Sequence, residues 1–357
     1  MNKKIIVSIL IISIILLIYN LYKTNYYFFN KLGNLNNNKQ KKQLKQNNNL
    51  TIYIYDREKN KIVKEFIPLY IKIAIKQMFK LQNRQNKINK LIKLNKLNNL
   101  YKKISVLQGR KFNKTNSIKY IPKYIKLYNI NINEIEKNIN EYKTFNEFFS
   151  RGLKLESRPI YQISNPNISI CCADSRLMVF DNIDDAKKLW IKGNEFSIKK
   201  LLNNDENLYS NYENGSLCIF RLAPQDYHRW HLPTEGVLLN HKLIDGSLYS
   251  VNPLFVNNLN VLTENKRIIA ELQSIKFGKI IIIAIGTIFI GSIKILLENG
   301  HFYEKGQVHG YFEFGGSTII LLFQPNKIKF NNDLIYNSNN LIETLVKAGM
   351  SLGNSLD

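Results

Sequence analysis

Beyond Arg158 the apolar residues fall into short runs, Ile168 to Cys172, Leu217 to Leu222, Ile280 to Ile285 and Thr318 to Phe323, separated by Gly, Pro and Asn. Runs this short, rich in Ile, Leu and Phe, bury completely as strands but are too brief to form helices with an apolar face. The stretch Ile280 to Ile290 is likewise too short to cross a bilayer and carries Gly286, so it reads as buried strand. The N-terminal part is built differently. Thr51 to Pro68 alternates as a hairpin, with Ile52/Ile54 and Ile62/Val63 around the polar turn Asp56 to Asn60. Leu69 to Lys80 and Ile88 to Tyr101 repeat apolar residues at helical spacing among Lys and Asn.

Charge divides the chain at the same place. Residues 1–126 carry 28 Lys/Arg against 3 Asp/Glu, and the remainder 23 against 24, so the formal +24 belongs to the N-terminal third. Such a region would meet lipid headgroups or nucleic acid through the same counterion release, and charge alone does not choose between them. Ile5 to Tyr22 is apolar over about 18 positions and flanked by Lys3, Lys4 and Lys23, the pattern of an uncleaved signal anchor. From Asn34 to Asn49 the composition collapses to Asn, Lys and Gln, which cannot offset the entropy of ordering. Cys171, Cys172 and Cys218 form no CxxC pair, so neither a disulfide framework nor a zinc site is indicated.

Three fragments carry chemistry. Phe314-Gly315-Gly316-Ser317-Thr318 places a hydroxyl where a glycine-flexed loop enters an apolar strand, and a serine there is able to attack the carbonyl before it. Taken singly, the fragment reads as an ordinary structural turn. Pro224 to His231 concentrates His228 and His231 beside Arg229 and Trp230; no further Cys or Glu completes a metal set, and imidazole suits proton transfer near neutral pH. Asp174, after Ile168 to Cys172, is a carboxylate at a strand end, able to orient an imidazole.

These segments, in this order, resemble the phosphatidylserine decarboxylases. The likeness rests on Thr144 to Phe149 through Arg151, Leu153-Lys154 and Arg158-Pro159; Ala173 to Arg176; Ile191-Lys192-Gly193 with Phe196-Ser197; Pro224 to His231; Gly246 to Pro253; and Gly310 to Thr318. It spans about residues 51–325. Two positions depart from the pattern: Cys172 stands where a proline is usual, and Gln307-Val308-His309 where an acidic residue is expected.

The resemblance implies scission between Gly316 and Ser317, with Ser317 converted to a covalent pyruvoyl group, the single cofactor expected, without metal. Such a ketone takes the substrate amine and accepts the electrons left by departing carbon dioxide. It further implies His231 as base, Asp174 as its orienter and His228 as a substrate-handling residue. The expected fold is α+β: a helical N-terminal region and a strand-rich, mainly antiparallel catalytic domain. Its parts are an anchor over 1–30, a linker over 31–50, a membrane-proximal hairpin and basic amphipathic helices over 51–150, and a catalytic domain over 151–357. The expected partners are phosphatidylserine in an anionic membrane and the protein's own two cleaved chains, with no nucleic acid and homo-oligomerisation left open. An endomembrane such as the endoplasmic reticulum is favoured over the mitochondrial inner membrane, because the start lacks the Arg- and Ser-rich amphipathic character of a transit peptide. The competing readings are a membrane-tethered phospholipid or nucleic-acid binding protein, a Ser-His-Asp hydrolase lacking Gly-x-Ser-x-Gly, and a pyruvoyl decarboxylase of a soluble amino acid.

Overall fold

A computed structural model of the chain describes residues 52–66, 107, 109–183, 197–247, 261–286, 292–314 and 317–356. The anchor, the linker, the helices expected over 69–101, the motif residues 191–193, 196 and 248–253, and Gly315 with Gly316 of the expected cleavage site lie outside these. Among the described residues no helix is long and apolar enough to cross a membrane.

The strands in chain order are β1 Tyr53–Asp56, β2 Lys61–Lys64, β3 Ile168–Ile170, β4 Ser175–Phe180, β5 Ser216–Leu222, β6 Arg229–His231, β7 Gly236–Ile244 and β8 Arg267–Ser274, followed by β9 Gly278–Gly286, β10 Ile293–Ile295, β11 Phe302–Tyr303, β12 Val308–Phe312, β13 Ser317–Phe323, β14 Ile328–Phe330, β15 Thr344–Val346 and β16 Ser351–Ser355. Ten of them form one sheet in the order β11-β7-β8-β9-β13-β5-β4-β15-β1-β2. Every pairing in it is antiparallel except β1 with β15. Two smaller sheets, β10-β12-β6 and β14-β16-β3, complete an α+β architecture.

Both faces of the large sheet are covered, and this explains the unbroken apolar runs. Along β13, Ile319, Leu321 and Phe323 point into one core with Cys218, Phe220, Ile282 and Trp230, while Ile320 and Leu322 point into another with Ile219, Ile283, Leu201 and Tyr212. Side chains alternate across a strand, so a strand buried on both faces is apolar at every position. Burying these five side chains of β13 contributes roughly 10 kcal/mol before entropy is counted. The hairpin expected over 51–68 is present as β1 and β2. It closes the edge of the same sheet: the amide of Tyr55 donates to the carbonyl of Glu343 (2.9 Å), and Ile54 is buried.

A third, aromatic core joins residues 112–149 to the end of β12. Phe112, Tyr124, Phe145 and Phe149 surround Phe314, with ring centroids 4.8, 6.4, 5.3 and 5.2 Å from it. The helix Phe145–Phe149 starts there because Thr144 caps it, its hydroxyl accepting from the amide of Glu147 at 3.1 Å. The helical segment thereby packs directly on the approach to Ser317.

Candidate active site

Ser317 opens β13, the strand between β5 and β9, where it stands opposite Leu222 and Gly286. It is fully buried, and its Oγ has no hydrogen-bond partner among the described residues. An orphaned buried hydroxyl costs on the order of 1–3 kcal/mol, so its retention needs a reason.

Beyond Leu222 the chain turns through Ala223 to Tyr227 and enters β6. This turn is fastened from several sides. Asp226 closes it, its Oδ2 accepting from the amide of Ala223 at 2.7 Å and from the Arg176 guanidinium. Arg151, buried by the packing of the helix before it, reaches the carbonyls of Gln225 and Asp226 (3.4 Å each), and the Tyr124 hydroxyl donates to the carbonyl of Pro224. The residues that sequence reading groups as a histidine motif are therefore a fastened turn followed by the strand β6, which pairs with β12.

Both histidines are held in one tautomer. Nδ1 of His228 lies 2.9 Å from the Asp226 carbonyl and Nδ1 of His231 lies 2.7 Å from the Gly306 carbonyl. A carbonyl only accepts, so each Nδ1 carries the proton and each Nε2 keeps its lone pair. Both Nε2 atoms are buried without a partner. Burial pushes the His228 imidazole down to about 3, outweighing the favourable carbonyl contact, and burial also lowers His231 despite the Gly306 carbonyl and the nearby Asp174 charge. The Phe149 ring lies over His228 with centroids 4.0 Å apart, and the carbonyl of His228 accepts from the amide of Phe312 at 2.9 Å. His231 stands opposite Val308 in the β6–β12 ladder. His231 thus sits on the strand paired with β12 and His228 immediately precedes that strand, while β12 leads on in sequence toward Ser317.

Asp174 is drawn into a different set of contacts. Arg158 grips it with Nε at 2.9 Å and Nη2 at 2.6 Å, and the amide of Ala348 donates to it at 2.9 Å. Arg158 also pairs with Glu134 at 2.9 Å. The tautomer of His231 is fixed by the Gly306 carbonyl, and Asp174 acts on that imidazole through its charge alone. A cavity of about 650 Å³ opens at this point, lined by His231, Arg158, Arg229, Tyr227 and Ile160 among others. His231 lines this cavity, and Ser317 and His228 do not.

The sequence reading missed the residues that hold the site: Tyr124, Phe149, Arg151, Arg176, Asp226 and the Gly306 carbonyl. Arg151, Arg176 and Asp226 were visible inside the motif segments without any sign of their role; Tyr124 carried no signal. The departing residue His309 packs away from this chemistry, its Nε2 2.8 Å from Nε2 of His241.

Ser317, preceded in sequence by two glycines, thus keeps a buried hydroxyl without a partner among the described residues, as do the Nε2 atoms of His228 and His231. Residues 145–354 match the family model described as phosphatidylserine decarboxylase. Among relatives, the chain is 43% identical over 307 residues to phosphatidylserine decarboxylase proenzyme 2 of Oryza sativa subsp. japonica, covering 85% of this chain and 48% of that protein. It is 41% identical over 309 residues to phosphatidylserine decarboxylase proenzyme 2 of Saccharomyces cerevisiae, covering 86% and 26%. Against the phosphatidylserine decarboxylase proenzyme of Clostridium tetani it is 40% identical over 253 residues, covering 71% and 84%. The chain therefore spans most of the bacterial relative but half or less of the plant and yeast ones.

Proposed function

The chain belongs to the phosphatidylserine decarboxylase family, and from that premise we propose that it cleaves itself before Ser317 and decarboxylates phosphatidylserine to phosphatidylethanolamine and carbon dioxide. One observation carries the reading: Ser317 Oγ and the Nε2 atoms of His228 and His231 are all buried and all without partners among the described residues. A hydroxyl and two imidazole nitrogens left unsatisfied are groups of the kind that proton transfer uses.

In the proposed maturation His231 takes the proton of the Ser317 hydroxyl, whose oxygen bonds to the carbonyl carbon of Gly316 as the peptide C–N bond breaks, giving an ester. Removal of the Ser317 α-proton then expels the Gly316 carboxylate, and water replaces the nitrogen as ammonia, leaving a ketone at the new N-terminus. This pyruvoyl group supplies an electron sink for decarboxylation. Tight anchoring favours the sequence of events, because the piece beginning at Ser317 remains held after scission: β13 pairs along its full length with β5 and β9, β15 with β1 and β4, and β16 with β3.

His228, neutral and in tilted ring contact with Phe149, is assigned to substrate handling, and Asp174 to electrostatic support of the His231 imidazolium formed during proton transfer. The cavity beside His231, with Arg158 and Arg229 in its wall, suits an anionic headgroup. The basic excess over residues 1–126 favours an anionic membrane as the place of work.

The test is the intact mass of the purified protein and of Ser317→Ala, followed by a phosphatidylserine decarboxylation assay. A wild-type fragment starting at position 317 with the pyruvoyl mass, an uncut variant and carbon dioxide release support the proposal. A folded wild-type chain that stays whole removes it.

A further inference from the structure

The turn that carries His228 is tied to the N-terminal hairpin through a buried ion network. Arg176 on β4 and Arg221 on β5 are Cα partners in the antiparallel ladder, so two guanidiniums lie side by side in the interior. Like charges directly opposite each other destabilise a sheet. Glu65, just after β2, resolves the conflict. Its carboxylate receives both Nη1 and Nη2 of Arg221 at 3.1 Å, and Nε of Arg176 approaches it at 2.9 Å as an ion pair. Burial alone would raise the Glu65 carboxyl, but Arg221 and Arg176 together hold it below the usual carboxylate range. Glu343 takes the remaining side of Arg221, with Nε at 2.9 Å.

Neutralised by Glu65, Arg176 is free to direct Nη1 at Asp226, and Asp226 closes the turn whose own carbonyl fixes the His228 tautomer. We propose that Glu65 is a positioning residue for His228, acting through Arg176 and Asp226, so that the hairpin 53–66 is part of the decarboxylation machinery as well as a sheet edge. The inference rests on the decarboxylase reading above. It separates two events: His231 is held by Gly306, outside this chain of contacts, so self-cleavage depends on Glu65 far less than turnover does.

The experiment compares Glu65→Gln, Asp226→Asn, their double variant and Glu58→Gln as full chains. It measures the fraction cleaved at position 317, kcat per cleaved chain with phosphatidylserine in mixed vesicles, and melting temperature. Glu58, at the hairpin tip, pairs with Lys347 on the surface, away from the arginine network, so Glu58→Gln leaves all three readings at the wild-type value. Glu65→Gln is expected to cleave nearly as wild type while kcat falls about 10- to 100-fold, the scale of a sub-ångström to 1 Å misplacement. Asp226→Asn gives a similar loss, and the double variant is no worse than either single change, because both break one connection. Wild-type kcat in Glu65→Gln, strictly multiplicative losses in the double variant, or cleavage and kcat falling together with melting temperature would each overturn the proposal. If Glu65→Gln does not fold, Asp226→Asn alone decides by the same split between cleavage and kcat. A wild-type chain that never cleaves removes the underlying reading instead.

Discussion

Acid is expected to destabilise this fold through its buried imidazoles before its carboxylates are protonated. Burial pushes both His228 and His309 down to about 3, with His241 adding to the effect at His309. An unfolded imidazole takes up its proton near pH 6.5, roughly three units higher. Between those values the unfolded chain binds protons that the folded chain refuses, so stability is full above about pH 7 and is lost as the pH falls. Once the unfolded imidazoles are protonated, each costs about 1.4 kcal/mol per pH unit, or ~2.7 kcal/mol per unit for the pair between about pH 5.5 and 4.5. Burial moves His231 and His241 in the same direction and steepens the slope, while burial raises the Asp226 carboxyl, which offsets part of it at the acid end. Asp56, Glu65 and Glu147 are held low by their partners, so their contribution, present above the unfolded carboxylate range near 4, is lost only below it. Against a total stability of about 5–15 kcal/mol, two pH units of histidine titration are decisive. Urea unfolding of Ser317→Ala, which keeps the chain in one piece on the proposed mechanism, measures the slope directly when repeated in small steps from about pH 7 to 4.5. His309→Gln should lower that slope by about 1.4 kcal/mol per unit whatever it does to stability at neutral pH. A wild-type slope below about 1 kcal/mol per unit, or one that His309→Gln leaves unchanged, refutes the argument.

Gly310→Ala should destabilise by about 3 kcal/mol or more, because an added Cβ would lie 2.3 Å from the Lys294 carbonyl oxygen and 2.5 Å from the Trp230 ring, neither of which is free to retreat; thermal unfolding checks this. Arg158→Met leaves Asp174 and Glu134 without their shared cation and is expected to cost about 3 kcal/mol by denaturant titration, a loss that Asp174→Asn made in the same protein should partly restore. Cys171, Cys172 and Cys218 are fully buried, and burial raises all three thiols, Cys171 to about 12, so a thiol reagent should modify none of them until denaturant is added. After cleavage, the fragment beginning at Ser317 should co-elute with the remainder on size exclusion and separate only under denaturing conditions, since three of its strands pair with strands of the other piece.

Much of this molecule was legible in the order of its residues. The apolar runs dictated buried strands because a strand covered on both faces must be apolar at every position, and Ile280 to Ile285 and Thr318 to Phe323 became adjacent strands at the centre of the sheet. The hairpin turn, the strand that Ser317 enters and the likeness to the decarboxylases were equally local facts, written in spacing and motif. What the sequence left open was every relation between groups far apart in the chain. Asp174 appeared as the natural orienter of His231, yet the fold brings Arg158 to that carboxylate and the Gly306 carbonyl to the imidazole. Glu65 carried no motif at all and acquires its place only because β1 pairs with β15 and delivers its carboxylate between two arginines that face each other across β4 and β5. Strand formation depends on neighbours in sequence, which a linear reading sees; burial, charge pairing and tautomer depend on which strands become neighbours in space, and only the folded sheet fixes those.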